Sequence, residues 1–177
     1  MYQPAEDSEL MAEFLPLVIR KENSQTFLDM GCGSGIQSVA AIEAGIKKDN
    51  ILAVDIDVEA LEETGKLGVQ TRKSDLFENV QERFDLIAFN PPYLPEDKHD
   101  KSAETTGGKH GWEIIEKFLQ QAREHLTERG KILLLFSSLT DKEKVDSCIE
   151  EAGFESKVLA VQKHFQEELY LVFLERS

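Results

Sequence analysis

Four residues of this sequence have types and spacing suited to chemistry on a nitrogen: Asn90, Pro91, Pro92 and Tyr93. They follow directly on Phe84-Asp85-Leu86-Ile87-Ala88-Phe89, a short apolar run that predicts a buried strand. Open α/β sheets place their ligands at the carboxyl ends of strands. Two consecutive prolines fix φ and remove two backbone donors, so the turn is stiff and holds the Asn90 side chain in one orientation. A carboxamide offers one carbonyl acceptor and two N–H donors. The Pro91 carbonyl has no N–H of Pro92 competing for it. Together these acceptors can take the hydrogens of a planar NH2 group and aim its lone pair at an electrophile. Tyr93 can stack on a planar amide or base. The bland alternative is a proline turn with a capping Asn.

A second constellation argues for a bound cofactor. The strand Thr26-Phe27-Leu28-Asp29-Met30 runs into Gly31-Cys32-Gly33-Ser34-Gly35, and a helix follows from Ile36 to Ala44 with Gly45 as its C-cap. Glycines let a backbone turn sharply and approach a ligand closely. The spacing is GxGxG, which differs from the GxGxxG of dinucleotide sites. Asp55 ends the next strand, Ile51 to Asp55, about twenty residues on, where a carboxylate can accept from both hydroxyls of a ribose. Asp29, before the glycines, could face a ligand's ammonium group. The bland reading is a tight turn with Asp55 as a helix cap. On spacing alone the ligand is either a nicotinamide cofactor or S-adenosylmethionine. With a methyl sulfonium the Asn90 segment needs no strong general base, because positioning supplies much of the rate.

The elements that must position these groups alternate along the chain. Helices are expected over 6–20, 36–44, 58–67, 112–126 and 142–152. Strands are expected over 26–30, 51–55, 69–72, 84–89 and 131–136, with a terminal pair ending in Tyr170-Leu171-Val172-Phe173-Leu174. Such alternation implies βαβ units and a mostly parallel sheet. Residues 94–110 lack periodicity and form a long loop, of the kind that is usually functional or mobile.

The 177 residues suit one domain, 1–177, with a core that needs no disulfide or metal. Cys32 and Cys148 make no framework, and His99, His110, His125 and His164 have no metal-ligand spacing, so no metal is expected. No apolar run approaches the ~20 residues of a membrane span, and the start lacks a signal-peptide pattern, which makes the cytoplasm the default location. Net charge is −14, from 34 acidic and 20 basic residues. Direct nucleic-acid binding is disfavoured by that field, whereas a basic protein partner is accommodated.

At this point the residues meet a family. The chain resembles class I S-adenosylmethionine-dependent methyltransferases, and more narrowly their HemK-type branch, which methylates the glutamine of the Gly-Gly-Gln motif in translation release factors. Leu28 to Gly35 is similar to the family's cofactor loop, and Ala53-Val54-Asp55-Ile56-Asp57 to its ribose-binding strand end. Ser74-Asp75-Leu76-Phe77 is similar to its adenine-side segment, and Phe84 to Tyr93 to its catalytic segment. Tyr2 to Ser8 and Gly107-Gly108-Lys109-His110-Gly111 resemble segments of the short archaeal and eukaryotic members.

The resemblance implies a Rossmann-like, mostly parallel seven-stranded sheet with helices on both faces and an antiparallel C-terminal strand. It implies S-adenosylmethionine as cofactor and S-adenosylhomocysteine as product. Asp29, Gly31, Gly33, Gly35, Asp55, Ile56, Asp75, Leu76 and Asn90 would hold the cofactor; Asn90, Pro91, Pro92 and Tyr93 would carry catalysis. Bacterial members carry a further N-terminal docking domain, and this chain starts almost directly at the catalytic segments. The resemblance therefore implies docking from elsewhere, which in short members involves a small zinc-binding activator subunit on the sheet edge. The third strand should be such an edge.

Glu6 and Asp7 have two readings, as caps of the first helix or as cofactor contacts. Trp112 suits core packing better than a substrate platform, and His110 suits a solvated loop. N6-adenine methylation and lysine methylation compete with glutamine methylation, because an exocyclic NH2 poses the same problem. A scaffold without activity is disfavoured by the intact glycine loop, Asp55 and Asn90 segment.

Overall fold

The computed structural model describes residues 6–92 and 110–177, with Glu6 described by its backbone only. Tyr93, residues 94–109 of the expected loop and Tyr2 to Ala5 lie outside the described residues. Five α-helices and seven strands follow one another as α1 Glu6–Glu22, β1 Phe27–Met30, α2 Ile36–Glu43, β2 Ile51–Asp55, α3 Val58–Gly65, β3 Gln70–Lys73, β4 Phe84–Phe89, α4 Glu113–Ala122, β5 Leu126–Ser137, α5 Lys142–Glu151, β6 Phe154–Lys163 and β7 Glu168–Arg176. The strands form one sheet in the order β3-β2-β1-β4-β5-β7-β6. The first five are parallel, and β7 runs antiparallel to both β5 and β6. This is the fold class expected from the sequence.

The inner strands are mostly apolar because both of their faces are covered. Successive residues point to opposite sides. Phe27, Leu86, Ala88, Leu133 and Leu135 join α1 and α2 in one core layer. Leu28, Met30, Ile87, Phe89, Ile132 and Leu134 join α4 and α5 in the other. Helix α4 shows how spacing dictates this: Ile115, Phe118, Leu119 and Ala122 recur every three or four residues and all are buried.

Most boundaries fall within two residues of expectation, and the largest difference lies between α4 and β5. Helix α4 ends at Ala122, a 3₁₀ turn covers Arg123–His125, and Leu126 already belongs to β5. The cause is a shift of register, in which Leu126 pairs with Phe84 but Lys131 pairs with Leu86. The Arg176 guanidinium satisfies the carbonyls this leaves over, donating to Thr127, Arg123 and Leu126. Gly130 sits where the strands close up again. A Cβ there would lie 2.8 Å from the Phe84 carbonyl oxygen and 2.8 Å from Leu126 Cβ. Because one of those neighbours is backbone, Gly130→Ala is expected to lower the unfolding free energy by roughly 1–3 kcal/mol in urea titration. A change within about 0.5 kcal/mol would show that the shifted segment yields freely.

Strand β3 is an edge, as expected, and Gln70, Thr71 and Lys73 on it are exposed. Arg72 is tied down by a bidentate pair to Glu82 at 2.8 and 2.7 Å. That pairing holds the Glu82 carboxyl down at about 2. Among the described residues no helix is long and apolar enough to cross a membrane.

Candidate active site

The site lies where β1, β2 and β4 end together. Met30 pairs with Val54 on one side and Phe89 on the other. The next residues, Gly31, Asp55 and Asn90, therefore leave the sheet at one level. Three of the residues that turn the chain from β1 into α2 take positive φ: Gly31 at 66°, Gly33 at 48° and Gly35 at 78°. Only glycine adopts this region at no cost. At Gly35 space forbids a side chain as well, since a Cβ would stand 2.8 Å from Thr64 Oγ1 of α3.

The glycine turn is clamped from two sides. Asp55 Oδ2 accepts from the Gly33 N–H at 3.0 Å, and Thr64 Oγ1 donates to the Gly33 carbonyl at 3.4 Å. Asp55 Oδ1 accepts from Asp57 N–H at 2.9 Å. Each carboxylate oxygen has two acceptor sites, so Asp55 keeps capacity toward a further donor. Ile56 beside it is 54% exposed, which places an apolar surface at the rim.

Asp29 is 1% exposed and lies beneath the turn. Its Oδ2 accepts from Ser38 N–H at 3.0 Å and Ser38 Oγ–H at 2.6 Å, which ties β1 to the first turns of α2. Burial pushes its carboxyl up to about 7; the two Ser38 bonds oppose this and the nearby Asp55 charge adds to it. Cys32 is buried in the same turn, and burial with the Asp29 charge holds its thiol above the ordinary range, so it is no nucleophile.

Beyond β3, Ser74 Oγ donates to Leu76 carbonyl and accepts from Asn79 N–H, closing a compact turn. Leu76 is buried and takes φ of 49°, a costly conformation for a branched residue. Asp75 is half exposed and pairs with Lys117 of α4 at 3.0 Å. Neither this ion pair nor the Thr64 clamp was legible from the sequence, because both join elements far apart in the chain.

Asn90 is half-buried and Pro91 buried. Asn90 Nδ2 donates to Asp7 Oδ2 at 3.1 Å and to Ser8 Oγ at 3.3 Å. Its Oδ1 is buried and has no hydrogen-bond partner among the described residues. Sequence reasoning missed that Asp7 meets Asn90. The signal was there: Asp7, Met11, Leu15 and Val18 share one helical face, and a carboxylate on a core-facing stripe needs a partner. His110 is exposed and stacks on Trp112, which packs against the core with Lys144 4.7 Å above its ring. Among the described residues no group of three or more metal-ligating side chains converges.

The strand order, the glycine corner and the Asn90 strand end together define a class I S-adenosylmethionine-dependent methyltransferase. The profile of the methyltransferase small domain family matches residues 6–167. A relative from Methanocaldococcus jannaschii bearing the name of a protein N5-glutamine methyltransferase is 36% identical, over 97% of this chain and 90% of its own. The methyltransferase HEMK2 of Mus musculus is 26% identical over 100% of this chain and 90% of its own. A release factor glutamine methyltransferase of Rhodopirellula baltica is 31% identical over 84% of this chain, which spans 53% of that longer protein. Among solved structures, Mtq2 from the E. cuniculi Mtq2–Trm112 complex that methylates eRF1 superposes with a TM-score of 0.78 at 24% identity, covering 99% of this chain and 98% of that one. This chain belongs to the methyltransferase small domain family, and within it to the HemK-type branch.

The Asp29 carboxyl gives the site a pH signature. Its pKa is raised in the fold, so between about 4 and 7 the unfolded chain has released a proton that the native state still holds. Native stability therefore falls as pH rises through that window and levels off above it. Asp29→Asn retains an acceptor for Ser38 and does not titrate. Its stability relative to wild type is expected to grow from pH 4 to pH 7 by an amount on the order of a few kcal/mol, then plateau. A pH-independent difference in chemical denaturation would show that the carboxyl ionises as easily inside the fold as outside it.

Proposed function

We propose that this chain transfers the methyl group of S-adenosylmethionine to the side-chain nitrogen of a glutamine, the Gly-Gly-Gln glutamine of a translation release factor. One observation carries the reading: the buried Asn90 Oδ1, without a partner among the described residues, stands at the strand end beside the glycine corner. An orphaned acceptor costs about 1–3 kcal/mol, which a substrate N–H would relieve.

The corner fits the cofactor. Gly31, Gly33 and Gly35 leave room for close approach, Asp55 retains acceptor capacity for a ribose, and Ile56, Asp75 and Leu76 stand on the side that the family resemblance assigns to the adenine. Asp29 acts from below, through Ser38. When bound, S-adenosylmethionine supplies an electrophilic methyl on a sulfonium. The chain's own residues then act by position. Asn90 Oδ1 and the Pro91 carbonyl accept the two amide hydrogens, which turns the nitrogen lone pair outward and draws it from conjugation. Pro91 and Pro92 keep those acceptors stiff. The proton lost on transfer leaves to solvent.

The names of the relatives support glutamine over adenine or lysine, and the charge of −14 favours a protein substrate over a duplex. The complex that superposes on this fold supports a partner subunit; we take it to be a small zinc-binding activator and place it on the exposed β3 edge. A release factor as substrate locates the reaction in the cytoplasm, at translation termination.

The experiment offers radiolabelled cofactor to the chain with a release factor, a Gln→Ala release factor and an adenine-containing duplex, with and without the activator subunit. Label is expected on the first protein alone; label on the duplex alone, or equally on both proteins, overturns the substrate. Asn90→Ala is expected to lower transfer at least about 1,000-fold while cofactor affinity, by calorimetry, changes less than about threefold. Asp55→Ala is expected to weaken cofactor binding by about tenfold or more. Equal transfer by wild type and Asn90→Ala would remove Asn90 from catalysis.

A further inference from the structure

Stiff backbone does not determine which end of the Asn90 amide faces the substrate. A half-turn about the last side-chain bond exchanges oxygen and NH2 at little steric cost. The exchanged amide would set N–H donors against the N–H donors of the substrate. The buried first turn of α1 decides between the two. Asn90 Nδ2 meets Asp7 Oδ2 at 3.1 Å and Ser8 Oγ at 3.3 Å. A carboxylate oxygen only accepts, so the end of the amide facing Asp7 is the NH2 end, and Oδ1 is the end left over.

The acid is itself held. Asp7 Oδ1 accepts from Ser8 N–H at 2.8 Å, and Gln37 Nε2 of α2 donates to the Ser8 carbonyl at 2.9 Å. Asp7 is 5% exposed and Ser8 4%, so water does not compete for these bonds. The turn thus spans from the helix after the glycine corner to the end of β4.

We propose that Asp7, assisted by Ser8, is a positioning residue that sets the Asn90 amide so that its oxygen, not its NH2, meets the substrate nitrogen. This rests on the reading of Asn90 given above. Asp7 acts through Asn90 and exchanges no proton with substrate.

Exchanging the polarity of the pair tests it. In Asn90→Asp two carboxylates oppose each other at hydrogen-bond distance, and kcat is expected to fall about 100-fold or more. In the double variant Asp7→Asn/Asn90→Asp, the new amide at position 7 donates to the new carboxylate at position 90, which still offers an oxygen to the substrate. Its kcat is expected to recover at least about tenfold over Asn90→Asp, with the cofactor KM within about threefold of wild type throughout. Asp7→Asn alone is expected to lose about tenfold in kcat. A purely structural acid would lower the melting temperature of both position-7 variants alike and rescue nothing.

A double variant that folds, binds S-adenosylmethionine as wild type does and transfers no faster than Asn90→Asp overturns the proposal and leaves the function untouched. Full activity of Asn90→Ala, by contrast, overturns the function first. Should the acid variants unfold, Ser8→Ala decides: a kcat loss of about threefold at unchanged cofactor KM supports the proposal, and unchanged kcat overturns it.

Discussion

The register of β1 between its two neighbours is the constraint on which the site depends. Because Met30 lies opposite both Val54 and Phe89, the glycine turn, Asp55 and Asn90 emerge side by side. A slip of one residue would exchange the two faces of the strand, pulling Phe27 out of one core layer and Leu28 out of the other. Both side chains are completely buried, so the core itself enforces the alignment that chemistry needs.

Carboxylates secure the sheet at both ends. At the functional end Asp55 holds the Gly33 amide. At the opposite end Asp85 of β4 accepts from Gln25 N–H and Thr26 N–H before β1 and from Thr127 Oγ–H in β5. Burial alone would raise the Asp85 carboxyl, yet these bonds outweigh it and hold the group below the ordinary carboxylate range. Asp29, buried between them with fewer donors, moves the other way. The contrast follows from deeper burial of Asp29 together with the fewer donors that oppose it.

Much of this was legible in the sequence, because it is periodic or local. Continuous apolar runs gave the inner strands, and β2 and β4 begin and end where those runs do. The glycine spacing and the acid after it mark the corner, since backbone conformation and short loops express themselves within a few residues. Contacts set by tertiary register were not legible. The start of β5 at Leu126 follows from pairing with Phe84, and the Lys117–Asp75 ion pair from the packing of α4 beside the turn after β3. Asp7 is intermediate. It was read as a helix cap or a cofactor contact; the stripe it shares with Met11 and Leu15 could have marked it as buried, but nothing local showed that its partner was Asn90.

That partner lies 83 residues away along the chain. Orientation of the Asn90 amide is therefore a product of long-range assembly. Helix α1 is the first of the described elements and packs mainly on α2, with further contacts to β5 and β7. Its opening would release the Asn90 amide and also uncover the core layer that Leu10, Met11 and Leu15 share with Phe27 and Leu86. With the role proposed for Asn90, turnover then reports on the docking of helix α1, a folding equilibrium read out as chemistry.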